Sequence, residues 1–211
     1  MTKKIYGFMH ICMANQWKSI VDEQLSKLKS SGLYDKTTKI YCAVLGNGSD
    51  SFIINDKKFE IVYRDNGIKK YEFPILEYMH KFSKNKKELY FYIHTKSVFH
   101  ETTDNWRKAM EYFIIEKHND CIKELEKVDI VGCFWCGGKN SHFSGNFWWA
   151  KSEHISQLPI FSQEDKINRF NAEFWIGRKN NILISSICQK HKHSEPNEYE
   201  GLEISPIYYD K

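Results

Sequence analysis

From residue 4 to residue 135 the chain alternates between two hydrophobic patterns, and this alternation limits the possible folds more than any other feature. Short runs rich in β-branched, aromatic and aliphatic residues lie at 4–14, 39–45, 59–63, 89–95 and 129–135. Between them, apolar residues recur at helical spacing. Trp17, Ile20, Val21, Leu25 and Leu28 do so ahead of the stop signal Gly32. Ile75, Leu76, Met79 and Phe82 follow Pro74, a residue favoured in the first helical turn. Trp106, Met110, Phe113, Ile114, Cys121 and Leu125 mark one face of a long helix over 104–127. The order is strand, helix, strand, strand, helix, strand, helix, strand. It predicts an α/β fold, a mostly parallel central sheet with helices on both faces.

Beyond Gly137-Gly138 the rhythm changes. Residues 141–150 read as a strand, a short helix falls near Ile155, a further helical stretch covers 172–177, and 182–188 is another strand. From Lys190 the chain is polar and aperiodic. With no internal repeat and no dividing linker, the expectation is a single domain over 1–189 and a polar C-terminal tail over 190–211. That tail would either close over a ligand or stay disordered.

Charge narrows the function. The formal net charge of +4 comes from scattered lysines and arginines, without the concentrated basic stripe of a nucleic-acid binder. The surplus suits a small polyanionic ligand. The N-terminus lacks a cleavable leader pattern, and no run of about 18 apolar residues is present to span a membrane. The six cysteines sit mostly in apolar runs, as buried thiols of a cytoplasmic protein do. Cys133-Phe-Trp-Cys136 has no second pair at zinc spacing, so no metal is assigned to it.

Candidate site residues follow from where strands end, because ligands of open α/β sheets bind beyond the C-terminal strand edges. The run 89–95 ends in His94-Thr95-Lys96, which brings an imidazole and an ammonium to that rim. Arg107, in the first turn of the next helix, offers a fork suited to phosphate oxygens. In His142-Phe-Ser-Gly-Asn146, strand alternation puts His142, Ser144 and Asn146 on one face as a polar ladder, and Gly145 lets a ligand approach the backbone. Glu173 lies among apolar neighbours, Phe174 and Trp175, where burial would raise its pKa toward that of a general base. Each residue also has a plainer role open to it: a structural histidine, a solvated lysine, a surface arginine or a helix-capping glutamate.

Several of these runs resemble a family of GT-A-type glycosyltransferases that build surface glycans, with a viral capsid-glycan rhamnosyltransferase domain and bacterial relatives among its members. The matching pieces are Asp65-Asn66-Gly67, Tyr71-Glu-Phe-Pro74, Tyr92-Ile-His-Thr-Lys96, Trp106-Arg107, His142-Phe-Ser-Gly-Asn-Phe-Trp-Trp-Ala150 and Ala172-Glu-Phe-Trp-Ile176, in that order. The resemblance implies a GT-A, Rossmann-like three-layer fold and an inverting transfer from a nucleotide-sugar donor, a UDP-sugar, to a glycan acceptor. It implies that Asn66, His94, Lys96 and Arg107 hold the donor diphosphate. His142, Ser144, Gly145, Asn146 and Trp148 would line the sugar pocket, and Glu173 would deprotonate the acceptor hydroxyl. One departure matters. Typical members carry Asp-x-Asp at the end of the central strand to hold Mn²⁺ or Mg²⁺, whereas His94-Thr95-Lys96 has no carboxylate. Dependence on either cation is therefore in doubt, and Lys96 with Arg107 would take over the metal's charge. The alternative from another class is a non-catalytic nucleotide-sugar or glycan-binding module with a degenerate GT-A fold. A cytosolic nucleotide-handling enzyme of Rossmann type is disfavoured, since no G-x-G-x-x-G follows the first strand.

Overall fold

The β-rich runs assemble into an eight-stranded mixed sheet in the order β10-β9-β5-β8-β4-β1-β2-β3. The computed structural model describes residues 3–96, 98 and 103–211. β1 (Ile5–Cys12) lies parallel to both β2 (Thr37–Leu45) and β4 (Leu89–His94), and β3 (Phe59–Asp65) extends the parallel set beyond β2. β8 (Trp148–Lys151) runs antiparallel between β4 and β5 (Ile130–Cys133). β9 (Leu183–Cys188) pairs parallel with β5, and β10 (Ile207–Asp210) closes that edge antiparallel to β9. Two short strands, β6 (Trp135–Cys136) and β7 (His142–Phe143), form a separate ribbon.

The period of two along each strand sorts side chains into two cores. Met9, Ile11, Phe91 and Ile93 pack with Val21 and Leu28 of α1 (Trp17–Ser30), and with Ala109 and Met110 of α4 (Asp104–Glu111). Tyr6, Phe8, Tyr90 and Tyr92 face the other way. They meet Ile75, Leu76 and Met79 of α3 (Phe73–Phe82) and Ile155 of α6 (Ser152–Ser156). A single helical turn, α2 (Leu33–Lys36), leads into β2. The three-layer α/β arrangement expected from the sequence is therefore present. No described helix is long and apolar enough to cross a membrane.

Three stretches differ from their sequence reading. The helix expected over 104–127 is interrupted. α4 passes into a π-turn over Tyr112–Glu116, and α5 (His118–Glu124) follows. Side chains take the carbonyls there: Trp149 Nε1 donates to Ile114 O at 2.8 Å, Cys121 Sγ to Phe113 O, and His118 Nδ1 lies 3.0 Å from Ile115 O. Such competition widens a helix locally. The strand expected over 141–150 is broken by a turn, in which Gly145 (φ +92°) and Asn146 (φ +59°) are both left-handed and Asn146 N–H donates to Phe143 O. Glycine and asparagine are the residues that tolerate this conformation.

The expected tail is built into the domain. Its residues 207–210 form β10, and Tyr199 is buried against Tyr112 and Phe113. One aromatic anchor in a polar stretch leaves no periodic signal.

A buried ion-pair node joins α1 to α4. Arg107 contacts Glu23 at 2.7 Å, Asp104 at 2.6 Å and Glu111 at 2.6 Å. Glu111 is fully buried and also receives Lys27 at 3.0 Å and the Gln24 amide at 2.9 Å. The guanidinium is thus used up by three carboxylates, which overturns its sequence-level assignment to a diphosphate. Arg107→Ala is expected to lower unfolding stability by about 3–5 kcal/mol, because it breaks a buried ion pair and leaves the Glu111 carboxylate only Lys27 and the Gln24 amide. Urea denaturation measures this, and an unchanged midpoint would show that the node carries little of the stability.

Candidate functional site at the carboxyl ends of β1 and β4

After β1 the chain adds β2 and β3 on one side, then crosses back to place β4 on the other. Strands that depart in opposite directions leave a crevice outside their carboxyl ends, where open α/β sheets bind ligands. Here the two ends are stitched together. Cys12 N–H donates to Thr95 Oγ1 at 2.8 Å, and Thr95 N–H donates to His10 O at 3.0 Å. Above them opens a cavity of about 380 Å³, floored by His10, Cys12, His94, Thr95 and Lys96. Its walls come from Tyr71 and Glu72 before α3, Trp106 of α4, the Gly145-Asn146 turn, and Arg169, Phe170 and Glu173 around α7 (Phe170–Phe174).

Two carboxylates face this space, each held by the left-handed turn. Glu72 Oε2 accepts from Tyr92 OH at 2.6 Å and from Asn146 Nδ2 at 2.5 Å, while Asn146 Oδ1 accepts from Trp148 Nε1 at 2.7 Å. Glu173 Oε1 accepts from Gly145 N–H at 2.6 Å. On the other side of that glycine, His94 Nε2 lies 2.9 Å from Gly145 O, which fixes the ring as the Nε2–H tautomer. Gly145 cannot be replaced cheaply, because its φ of +92° is one that a residue with a Cβ rarely adopts, and a Cβ there would also displace the end of the Met110 side chain.

Burial sets the charges. It pushes the His94 pKa down to about 4, with Lys96 nearby adding to the effect, and it pushes His10 down to about 4 as well. Both rings are therefore neutral at pH 7. His10 Nδ1 is buried with no hydrogen-bond partner among the described residues. Lys96 is pulled below its usual value, chiefly by desolvation, and its Nζ sits 3.8 Å from the Trp106 ring centroid. The Cys12 thiol is raised to about 11 by burial, so it is not a thiolate nucleophile at neutral pH.

Of the residues singled out from the sequence, His94, Lys96, Gly145, Asn146 and Glu173 converge on the cavity. The others are placed elsewhere. Arg107 is committed to its ion-pair node. Asn66 is exposed beyond β3, bonded to Asp50 at 2.7 Å and to Ser49. Trp148 is fully buried, its indole spent on Asn146. His142 stands behind Glu173 at 4.0 Å with its Nδ1 near Asn140 O, and Ser144 accepts from Lys192 at 2.9 Å. The expected ladder of His142, Ser144 and Asn146 does not form, because the left-handed turn rotates Asn146 out of line with the other two. Glu173 is not sealed among apolar rings either. Trp175 turns into the core, while Glu173 meets a backbone N–H at the cavity wall.

Sequence reasoning missed Glu72, His10 and Arg169 as cavity residues. Glu72 had two usable signals, its place in the Tyr71-Glu-Phe-Pro74 run and its position directly before the Phe73-Pro74 helix start.

The donor set at the strand end does not fit a divalent cation. It offers a protonated Nε2, a hydroxyl already bonded to the backbone and an ammonium. Among the described residues, no group of three or more His, Cys, Asp or Glu is placed to hold a metal. A larger cavity, about 540 Å³, lies on the other side of the 68–73 segment. Its lysines are solvated or already paired, as Lys166 is with Glu77 at 2.6 Å, and among the described residues it holds no buried unpartnered group.

Compared with known proteins, residues 8–163 match the family described as "Domain of unknown function (DUF8361)". No curated protein matches. Among solved structures, the chain is similar to the crystal structure of 4-diphosphocytidyl-2C-methyl-D-erythritol synthase from Anaerococcus prevotii DSM 20548. That similarity is at 12% identity with a TM-score of 0.49, over 92% of each chain.

The neutral histidines have a consequence for stability. His10, His94 and the buried His154 are each held near 4, against 6.5 for an ordinary histidine. As pH falls the unfolded chain takes up protons first, so stability is lost between about pH 6.5 and pH 4. The urea midpoint should be level above pH 7 and fall through that window. The imidazole NMR signals of these three residues should stay put from pH 8 to pH 5. A titration of any of them near 6.5 would contradict its burial.

Proposed function

The chain belongs to the DUF8361 family, and we propose that it is a nucleotide-sugar-dependent glycosyltransferase that moves a sugar from a UDP-sugar to a glycan acceptor, with inversion, in the cytoplasm. One observation carries this reading. Two carboxylates, Glu72 and Glu173, and a desolvated ammonium, Lys96, face a single cavity at the switch point of the sheet. Acid–base chemistry on a hydroxyl needs the first kind of group, and a departing diphosphate needs the second.

In the proposed reaction the acceptor hydroxyl attacks the anomeric carbon as the bond from that carbon to the diphosphate oxygen breaks. The proton passes to the Glu173 carboxylate, and the bonding pair leaves with the diphosphate. Lys96 stabilises the charge that develops on the leaving group, and Arg169 on the same wall takes the place first assigned to Arg107. Glu72 is held by Tyr92 and Asn146, which suits it to fix sugar hydroxyls rather than to move protons. Because the donor set at the strand end does not fit a divalent ion, no step is routed through one.

Two measurements test the reading. Calorimetric titration with UDP, GDP and CMP, with and without Mn²⁺, is expected to show binding of UDP that persists in EDTA. Glu173→Gln should leave UDP affinity almost intact while lowering transfer by about 10²–10⁴-fold, the usual contribution of a general base. Near-normal turnover would remove Glu173 from the mechanism. Nucleotide binding without any release of nucleotide from the sugar donor would leave a binding module in place of an enzyme.

A further inference from the structure

The C-terminal segment brings a second ammonium to the indole that already carries Lys96. Lys192 Nζ lies 4.1 Å from the Trp106 ring centroid, beside the 3.8 Å of Lys96. Lys192 also donates to Ser144 Oγ at 2.9 Å, next to the turn that shapes the cavity. Trp106 Nε1 is buried without a partner among the described residues. Two like charges gathered at one ring repel each other, and a π-face offsets that repulsion only partly. Lys96, Lys192 and Arg169 stand against Glu72 and Glu173, so the cluster keeps a surplus positive charge.

Lys192 is not a loose surface lysine. The segment that bears it is tied down at three points. Tyr199 is buried against Tyr112, with ring centroids 5.3 Å apart, and Gly201 N–H donates to Tyr112 OH at 2.8 Å. Glu195 accepts from Asn105 Nδ2 at 2.7 Å and shares a capping box with Glu198. The chain thus holds the residue 192 ammonium against the same ring, on the first turn of α4, that the residue 96 ammonium contacts, close enough for each charge to feel the other.

We propose that Lys96 and Lys192, carried on Trp106, form a two-lysine clamp for a diphosphate group, so that the anion site is complete only when the C-terminal segment is docked. This rests on the reading of the cavity as a nucleotide-sugar site and assigns the leaving group's place at its Trp106 edge, where Lys96 and Trp106 line the cavity. The clamp recognises the diphosphate itself, whether it comes from a nucleoside diphosphate or from inorganic pyrophosphate.

Titrations of the full chain with inorganic pyrophosphate, UDP and uridine test the proposal. Lys192→Gln is expected to weaken pyrophosphate and UDP by about tenfold to a hundredfold, the effect of one lost charge-assisted contact, and to leave uridine unchanged. Lys192→Arg should restore most of the loss, which a merely structural lysine tied to Ser144 would not require. Natural affinity for pyrophosphate in Lys192→Gln would overturn the clamp, as would failure of the unaltered chain to bind pyrophosphate. If pyrophosphate binds and depends on Lys192 while UDP binds no better than pyrophosphate, the clamp stands and the nucleotide reading falls.

Discussion

The buried carboxylate of Glu111 is the interaction on which the cavity most depends. A charge without solvent must be met by fixed donors, and Glu111 gathers three of them, Arg107, Lys27 and the Gln24 amide. Gln24 then does a second job. Its Nε2 also lies 2.9 Å from the His94 carbonyl, so the node that locks α1 to α4 also fixes the end of β4. From His94 the order passes outward through the imidazole to Gly145, and through the same glycine to Glu173. The cavity floor and one of its carboxylates are thus referenced to a charge cluster that never touches the ligand space.

Gly145 is the hinge of that arrangement in a literal sense. Its carbonyl meets His94, its N–H meets Glu173, and the next residue, Asn146, reaches Glu72 and Trp148. Two left-handed residues in succession turn the backbone so that both carboxylates can be held from one short segment. The same turn brings position 145 close against the end of the Met110 side chain and the Trp106 ring. Backbone groups position reacting side chains more rigidly than flexible side chains do, because they have no rotamers to lose.

What was legible in the sequence follows a physical division. Strand and helix existence was written in local periodicity, and so were the two-sided core and the location of His94 and Lys96 at a sheet rim. Contacts between distant segments were not. Arg107 reads as a free cation until Glu23, more than eighty residues away, is brought to it. The polar ladder of His142, Ser144 and Asn146 assumed a straight strand, and the Gly-Asn pair that bends it is also what makes the run useful. Tyr199 and Lys192 sit in a stretch with no period at all, and their contacts depend on a partner face that the folded helix α4 and its π-turn provide. Glu72 lay in plain view before a helix start, and only the approach of Tyr92 and Asn146 separates it from the other surface glutamates.

The reversed strand β8 governs the order in which the molecule can be assembled. It occupies the slot between β4 and β5, yet it follows both in the chain. Until residues 148–151 arrive, β4 presents an unpaired apolar edge, and β5 has no neighbour through which to join the parallel half. A nascent chain that ends before this point is a half-sheet with an open seam, the kind of edge that recruits other chains. Closing the seam and placing the Gly145-Asn146 turn are coupled, because the turn is the lead-in to β8. Docking of β8 therefore covers an exposed strand edge and sets the Gly145-Asn146 side of the cavity together, before residues 169–173 add the opposite wall.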